Sequence, residues 1–184
     1  LLKDLSSSAE SLTGASALSP RTASSSNESK VSASATAGAQ TGEYRIEVTQ
    51  LAARHSMATQ GFAALTSAVP SGSFDLVVGS SEAVSINLPE GSTLESLRDA
   101  IIASGANVQA VILHDGNDYH LSLTSGASGS AGEITLQNFS SSELQDALDF
   151  TQVKAARDAQ FSMNGLTLTR SSNQITDAVE GVTF

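Results

Sequence analysis

Two histidines and two aspartates stand within seven residues in "HDGNDYH", where His114 and His120 enclose Asp115 and Asp118. Imidazole nitrogens and carboxylate oxygens ligate zinc and other divalent ions, so four such groups this close could furnish a coordination sphere. The same residues also make a hairpin tip. Asp-Gly and Asn-Asp supply positive φ and local hydrogen bonds, and histidines at strand ends are ordinary surface chemistry. Short motifs match by chance often enough that we read a turn here and assign no metal ligand. The third histidine, His55, lies in a weakly patterned stretch and is read as a surface residue.

Other chemistry-bearing residues do not assemble in the sequence. Serines are abundant, but no Gly-x-Ser-x-Gly elbow occurs; in "GASGS" Ser130 stands where the second glycine belongs. The Gly-rich run from Gly126 to Gly132 lacks the Lys and following Ser or Thr of a phosphate cradle and reads as a flexible connection. Asp146 with Asp149, and Asp177 with Glu180, are acidic pairs at helical spacing on solvated faces. No catalytic residue, cofactor site or metal site is assigned, and the chain is not read as an enzyme.

Composition narrows the class further. The 184 residues allow two small domains, and the 40% hydrophobic content with only 4% aromatics and no Trp implies a core of Val, Leu, Ile and Ala. Nine Lys plus Arg against nineteen Asp plus Glu give a net charge of −10, which repels phosphate backbones and argues against a nucleic-acid partner. No apolar run approaches the roughly 20 residues that span a bilayer, so no membrane partner is assigned. The absence of Cys removes disulfides, thiolate metal sites and thiol nucleophiles.

The elements that must position these residues can be placed by periodicity. Leu1, Leu5 and Leu12 have helical spacing, followed by a Ser, Ala and Thr connector to Ser29 and short alternation from Lys30 to Ala37. In "GEYRIEVTQLA" Tyr44, Ile46 and Val48 alternate with charged and polar residues, predicting a strand with that face buried. Phe74, Leu76 and Val78 against Val84, Ile86 and Leu88 predict a hairpin. Ser92 and Glu95 have capping-box spacing before a helix whose stripe is Leu94, Leu97 and Ile101 and which stops at Gly105. Val108, Ala110 and Ile112 pair through the His114–Tyr119 turn with Tyr119, Leu121 and Leu123, and a short strand spans 133–137. One sheet with the helix on one face packs these elements most simply. A short connector helix over 140–148, capped by Ser141 or Ser142, leads to a hairpin turning at Asn164 and Gly165. Ser171 to Asn173 read as a turn, Ile175 and Val179 as buried positions, and Gly181 to Phe184 as the start of a strand.

Taken in order, these segments resemble the flagellar filament capping protein family, also called hook-associated protein 2 (FliD family). The likeness runs through "SSSNESKVSASATAGAQTGEYRIEVTQLA", "GSFDLVVG", "GSTLESLRDAII", "VQAVILHDGNDYHLSLTS" and "ARDAQFSMNGLTLTRSSNQITDAVEGVTF". "EVTQLA" and "NGLTLTRSSNQITDAVEGVT" are its most specific parts, while the His114–Tyr119 hairpin departs from the family's shorter turn.

The resemblance implies an α+β, mainly β head fragment of two small domains. Residues 1–18 would end a leg helix and its connector. Residues 19–68 plus 155–184 would form a discontinuous β-rich proximal domain, and 72–152 an inserted distal α+β domain of hairpin, helix and hairpin. It further implies a structural, secreted protein at the tip of the bacterial flagellum, where it promotes ordered flagellin assembly and prevents loss of monomers. Its implied partners are other copies of itself in a ring, flagellin, neighbouring hook-associated proteins and an export chaperone. This piece alone is expected to be monomeric or weakly associated. Some members of the family bind host mucins, so adhesion joins the expectations. A secreted adhesin or phage-tail-like module is the alternative from another class.

Overall fold

The computed structural model describes residues 21–184. The leg helix expected at Leu1–Leu12, and the connector as far as Pro20, lie outside the described residues. In chain order the strands are β1 (Ser34–Ala35), β2 (Ile46–Gln50), β3 (Arg54–Ala58), β4 (Gly72–Val78), β5 (Val84–Leu88), β6 (Val108–His114), β7 (Tyr119–Ser128), β8 (Ile134–Gln137), β9 (Thr151–Lys154), β10 (Ala159–Met163), β11 (Leu166–Arg170) and β12 (Val182–Thr183). Helix α1 (Leu94–Ala103) lies between β5 and β6, and α2 (Ser142–Leu148) between β8 and β9. The chain divides into two compact units, one from the residues up to Ile46 with Asn173–Phe184, the other from Glu47–Ser172.

Among the described residues, the smaller unit holds little regular structure. The alternation read from Lys30 to Ala37 yields only β1, which pairs antiparallel with β12. Ile175 and Phe184 exchange two backbone hydrogen bonds at 2.9 Å, and Tyr44 meets the Phe184 ring edge-on at 6.4 Å. Ile175 is buried as expected, Val179 only half so. Gly181 has a φ of +73°, and a Cβ there would lie 2.8 Å from Thr36 Oγ1 and 2.9 Å from Ala39 Cα, so a side chain would be both strained and crowded.

The larger unit departs from the expected single sheet. Two hairpins form as predicted, β4 with β5 and β6 with β7, but each recruits a different third strand. β8 pairs with the free side of β4, giving the order β5-β4-β8. β7, at ten residues long enough to carry a second partner, pairs with β3, giving β6-β7-β3-β9. Phe74, Leu76, Ile86, Leu97, Ile101, Leu121 and Leu123 are all fully or nearly fully buried in one core, with α1 packed on β5 and β6. Burying each such side chain stabilises the fold by about 1.5–3 kcal/mol.

Both helices differ in detail from expectation. The N-cap of α1 is Thr93: its Oγ1 accepts the Ser96 N–H at 3.3 Å, and Ser96 Oγ accepts the Thr93 N–H at 2.6 Å. Ser92 is buried instead, donating to the Pro89 carbonyl. Ser141 caps α2, and Leu144 and Leu148 are fully buried, so this helix is a core element and not a connector.

β3 has a partner on each side. Met57 lies opposite Leu123 and Ala58 opposite both Ser122 and Thr151, so β3 is an inner strand of the four-stranded sheet. "RHSMA" has no β-branched residue and a charge at its start, which concealed the strand. At its base, the Ala53 N–H donates to the Arg157 carbonyl at 2.8 Å and the return bond is 3.2 Å. Just below, β2 and β10 are neighbours in a sheet ordered β11-β10-β2, with Thr49 Oγ1 donating to Gln160 O and Gln50 Nε2 to Asp158 O. Within this unit, everything from Ala53 to Arg157 therefore leaves and returns between two adjacent strands.

β2 itself is an edge strand, and this corrects the expected buried face. Val48 is 45% exposed, and only Ile46 and Gln50 are half-buried. The covered side chains of this sheet are Ala159, Phe161 and Met163 on β10. The turn after them is as predicted: Asn164 and Gly165 have φ of 50° and 85°, the two positive values of a type I′ turn.

Candidate functional site

The turn at the tip of β6 and β7 is built around Asp115. Its Oδ1 accepts the N–H groups of Asn117 and Asp118 at 2.8 and 2.9 Å, and its own N–H donates to Asp118 O at 3.1 Å. These local bonds are why Asp opens the turn. They hold its carboxyl down at about 2, the Asp118 amide contributing most, then Asn117 and then His120.

His120 points from β7 in two directions. Nδ1 lies 3.0 Å from the Thr59 carbonyl and Nε2 lies 3.2 Å from Asp115 Oδ2. Both oxygens only accept, so the geometry suits an imidazolium that donates from both nitrogens. The Thr59 carbonyl first, then Asp115, raise its pKa above the usual 6.5. His114 is turned elsewhere, stacked on Tyr119 with ring centroids 4.4 Å apart. Of the four groups considered as ligands, Asp115 and His120 thus serve as a clamp between the hairpin and the segment after β3. Among the described residues no three His, Asp or Glu side chains gather as a metal-binding set.

His55 is buried at 4% exposure, which corrects its reading as a surface residue. Its Nδ1 accepts the Ile134 N–H at 2.9 Å, so the neutral ring carries its hydrogen on Nε2 and can donate to Gln152 Oε1 at 3.3 Å. One ring thereby joins β3 to β8 and β9. The available sequence signal was the two-residue spacing of His55 and Met57, both inward on β3.

The remaining candidates are structural in their contacts. Ser130 donates through its N–H and Oγ to the Asp158 carboxylate, with oxygens at 2.7–3.2 Å. The Gly-rich run is not a loose connection: Gly126 to Ser128 complete β7, Ser130–Gly132 form a 3-10 turn, and at Gly129, with φ +74°, a Cβ would press into Asp158 and Ser171. Asp146 is exposed on α2 and Asp149 caps it, whereas Asp177 and Glu180 lie in an irregular stretch without helix. The smaller unit contains a cleft of about 730 Å³, bordered by Arg21, Lys30, Tyr44, Ile46, Val182 and Phe184. No helix among the described residues is long and apolar enough to cross a membrane.

Residues 1–55 match the family model described as the flagellar hook-associated protein 2 N-terminus. The chain is 32% identical over 186 residues to the B-type flagellar hook-associated protein 2 of Pseudomonas aeruginosa, with 89% of the chain and 39% of that protein covered. It is 30% identical over 171 residues to the flagellar hook-associated protein 2 of Escherichia coli K12, with coverages of 85% and 36%. The chain therefore spans less than half the length of the curated relatives it matches. Among solved structures, the D2-D3 domains of the flagellar cap protein FliD from Escherichia coli superpose with a TM-score of 0.75 at 30% identity, covering 83% of this chain and 85% of that one. The corresponding domains from Serratia marcescens give 0.73 at 32% identity, with coverages of 83% and 89%. Sequence identity of 30–32% across 85–89% of the chain, together with superposition on the solved cap-protein domains, places the chain in the flagellar hook-associated protein 2 family of filament cap proteins.

Proposed function

We propose that this chain is the head portion of a filament cap subunit, located outside the cell at the tip of the flagellum, where it retains flagellin during ordered assembly. The likeness to the D2-D3 domains of the Escherichia coli cap protein, through 83% of the chain, carries the reading. The task is confinement and contact, not bond chemistry, and the polar groups are committed to fold contacts: His120 and Asp115 in a clamp, His55 between strands, Ser130 and Asp158 at a turn. The partners on this reading are further copies of the subunit in a ring, flagellin, the adjacent hook-associated proteins and an export chaperone. The relatives found are described as flagellar, which does not favour the adhesin or phage-tail alternative.

We assign the distal part to the segment between the Ala53–Arg157 bridge and the proximal part to the flanking segments. A hybrid of the Pseudomonas aeruginosa B-type protein carrying this chain in place of its matching segment tests the function in cells lacking their own cap. Restored swimming with little flagellin in the medium is expected. Export of a folded hybrid with flagellin still shed would refute it.

A further inference from the structure

A segment joined to a sheet through two neighbouring strands ordinarily hinges there, because two crossings leave one soft rotation about the line through them and a few residues can absorb it. The segment between Ala53 and Arg157 is joined to the sheet β11-β10-β2 in this way, but it has a third attachment. Ser128, Gly129 and Ser130, where β7 ends, reach the ends of all three strands. Just beyond β2, the Ala53 carbonyl accepts the Gly129 N–H at 3.1 Å as well as the Arg157 N–H at 3.2 Å. At the start of β10, Asp158 Oδ1 accepts the Ser130 N–H at 2.7 Å, and Ser130 Oγ lies 3.1 and 3.2 Å from the two carboxylate oxygens. Just after β11, the Ser171 carbonyl accepts the Ser128 hydroxyl at 2.7 Å. Gly129 sits so close to Asp158 and Ser171 that a Cβ would clash with both.

We propose that Ser128–Ser130 form a crossbar that locks the intervening segment to this sheet, so that the two move as one body with no hinge at the Ala53–Arg157 crossing. Neighbouring strands stand about 4.8 Å apart, so contacts to three of them span roughly 10 Å and extend well off the line through Ala53 and Arg157. Rotation about that line must break them. The Asp158 carboxylate makes the strongest kind of contact in the set, a charged acceptor on a backbone N–H. Glycine at 129, with φ +74°, permits both the backbone turn and the close approach. A load on the intervening segment therefore reaches β2, β10 and β11 without bending at the crossing. The lock is a property of the fold and stands whether or not the chain caps a filament.

The lack of Cys allows spin labels to be placed at chosen pairs. Ser85→Cys with Thr167→Cys spans the crossing from exposed positions on β5 and β11, and Ser85→Cys with Gln109→Cys, both within the intervening segment, is the control pair. Electron–electron double resonance on the otherwise unaltered chain should give distance distributions of equal width for the two pairs. Adding Ser128→Ala together with Asp158→Ala should broaden the spanning pair about twofold or more and leave the control pair unchanged. Asp158→Asn alone, which keeps Oδ1 as the acceptor for the Ser130 N–H, should stay narrow. A spanning distribution clearly wider than the control in the otherwise unaltered chain would overturn the proposal, whether or not the variants fold. So would an unchanged width in a double variant that circular dichroism shows to be folded, or equal broadening of both pairs.

Discussion

Replacing His55 by Leu keeps much of the side-chain volume but removes the acceptor for the Ile134 N–H, held at 2.9 Å beside a residue only 3% exposed. A buried donor left without a partner costs about 1–3 kcal/mol. The second bond, 3.3 Å to the exposed Gln152, adds about 0.5 kcal/mol at most. The loss should therefore fall at about 1–3.5 kcal/mol, a large share of a typical domain's stability. Urea unfolding followed by circular dichroism gives the total, and hydrogen exchange at the Ile134 amide reports the bond itself. His55→Leu should lower both. Gln152→Ala should change stability by under about 0.5 kcal/mol. His55→Asn, whose Oδ1 stands close to where Nδ1 was, should restore much of the Ile134 protection. If His55→Leu unfolds like the parent and the Ile134 amide stays protected, the ring is not the acceptor that joins β3 to β8, and the reasoning fails.

Three further outcomes are expected. His120 has a raised folded pKa, so its clamp contribution is fully present below 6.5 and is lost as pH rises through the higher folded value. Asp115 has a depressed one, so its contribution is present above 3.8 and is lost as pH falls through about 2. An NMR titration with a His120 midpoint at or below 6.5 would contradict the two-acceptor geometry. Calorimetry with zinc should be flat, because Asp115 and His120 already satisfy each other; micromolar affinity lost in His114→Ala would reverse the turn reading. Leu148→Ala should cost about 2–5 kcal/mol, as expected for a fully buried leucine, whereas Val48→Asp should stay within about 0.5 kcal/mol; similar losses from both would contradict the burial described.

What the sequence disclosed and what it hid follow one physical division. Elements with strong local patterning were legible: the β4–β5 and β6–β7 hairpins, the Leu94, Leu97 and Ile101 stripe, and the Asn164–Gly165 turn all rest on contacts or dihedrals set within a few residues. Features decided at long range were not. β3 is a strand because β7 and β9 flank it, not because "RHSMA" favours one. His55 is buried with its partner on β8, the Ile134 N–H, 79 residues away in sequence. Val48 alternates like a buried residue yet stands on an edge strand, since periodicity shows which side chains share a face but not whether anything covers it. At the hairpin tip, the turn chemistry of Asp115 is local and was legible, but the second partner of His120 is the Thr59 carbonyl, 61 residues away in sequence.

The Ala53–Arg157 bridge has a consequence for the order in which the chain gains structure. β2 and β10 are sheet neighbours separated by roughly a hundred residues, so joining them directly from the unfolded chain means closing a long, loose loop. If the intervening segment condenses first, its two ends are already held together at the bridge, and the effective loop shrinks to a few residues. By the logarithmic dependence of closure entropy on length, that saves about 2–3 kcal/mol. The inserted core, drawn from Met57 to Leu148, contains its own nucleus of hairpins and helix. Pulse-labelled hydrogen exchange should therefore show β7 amides protected before those of β10; the reverse order would exclude this route. A chain that emerges unfolded can in this way mature from its middle outward, the interior segment acting as the clasp that brings the distant flanks into register.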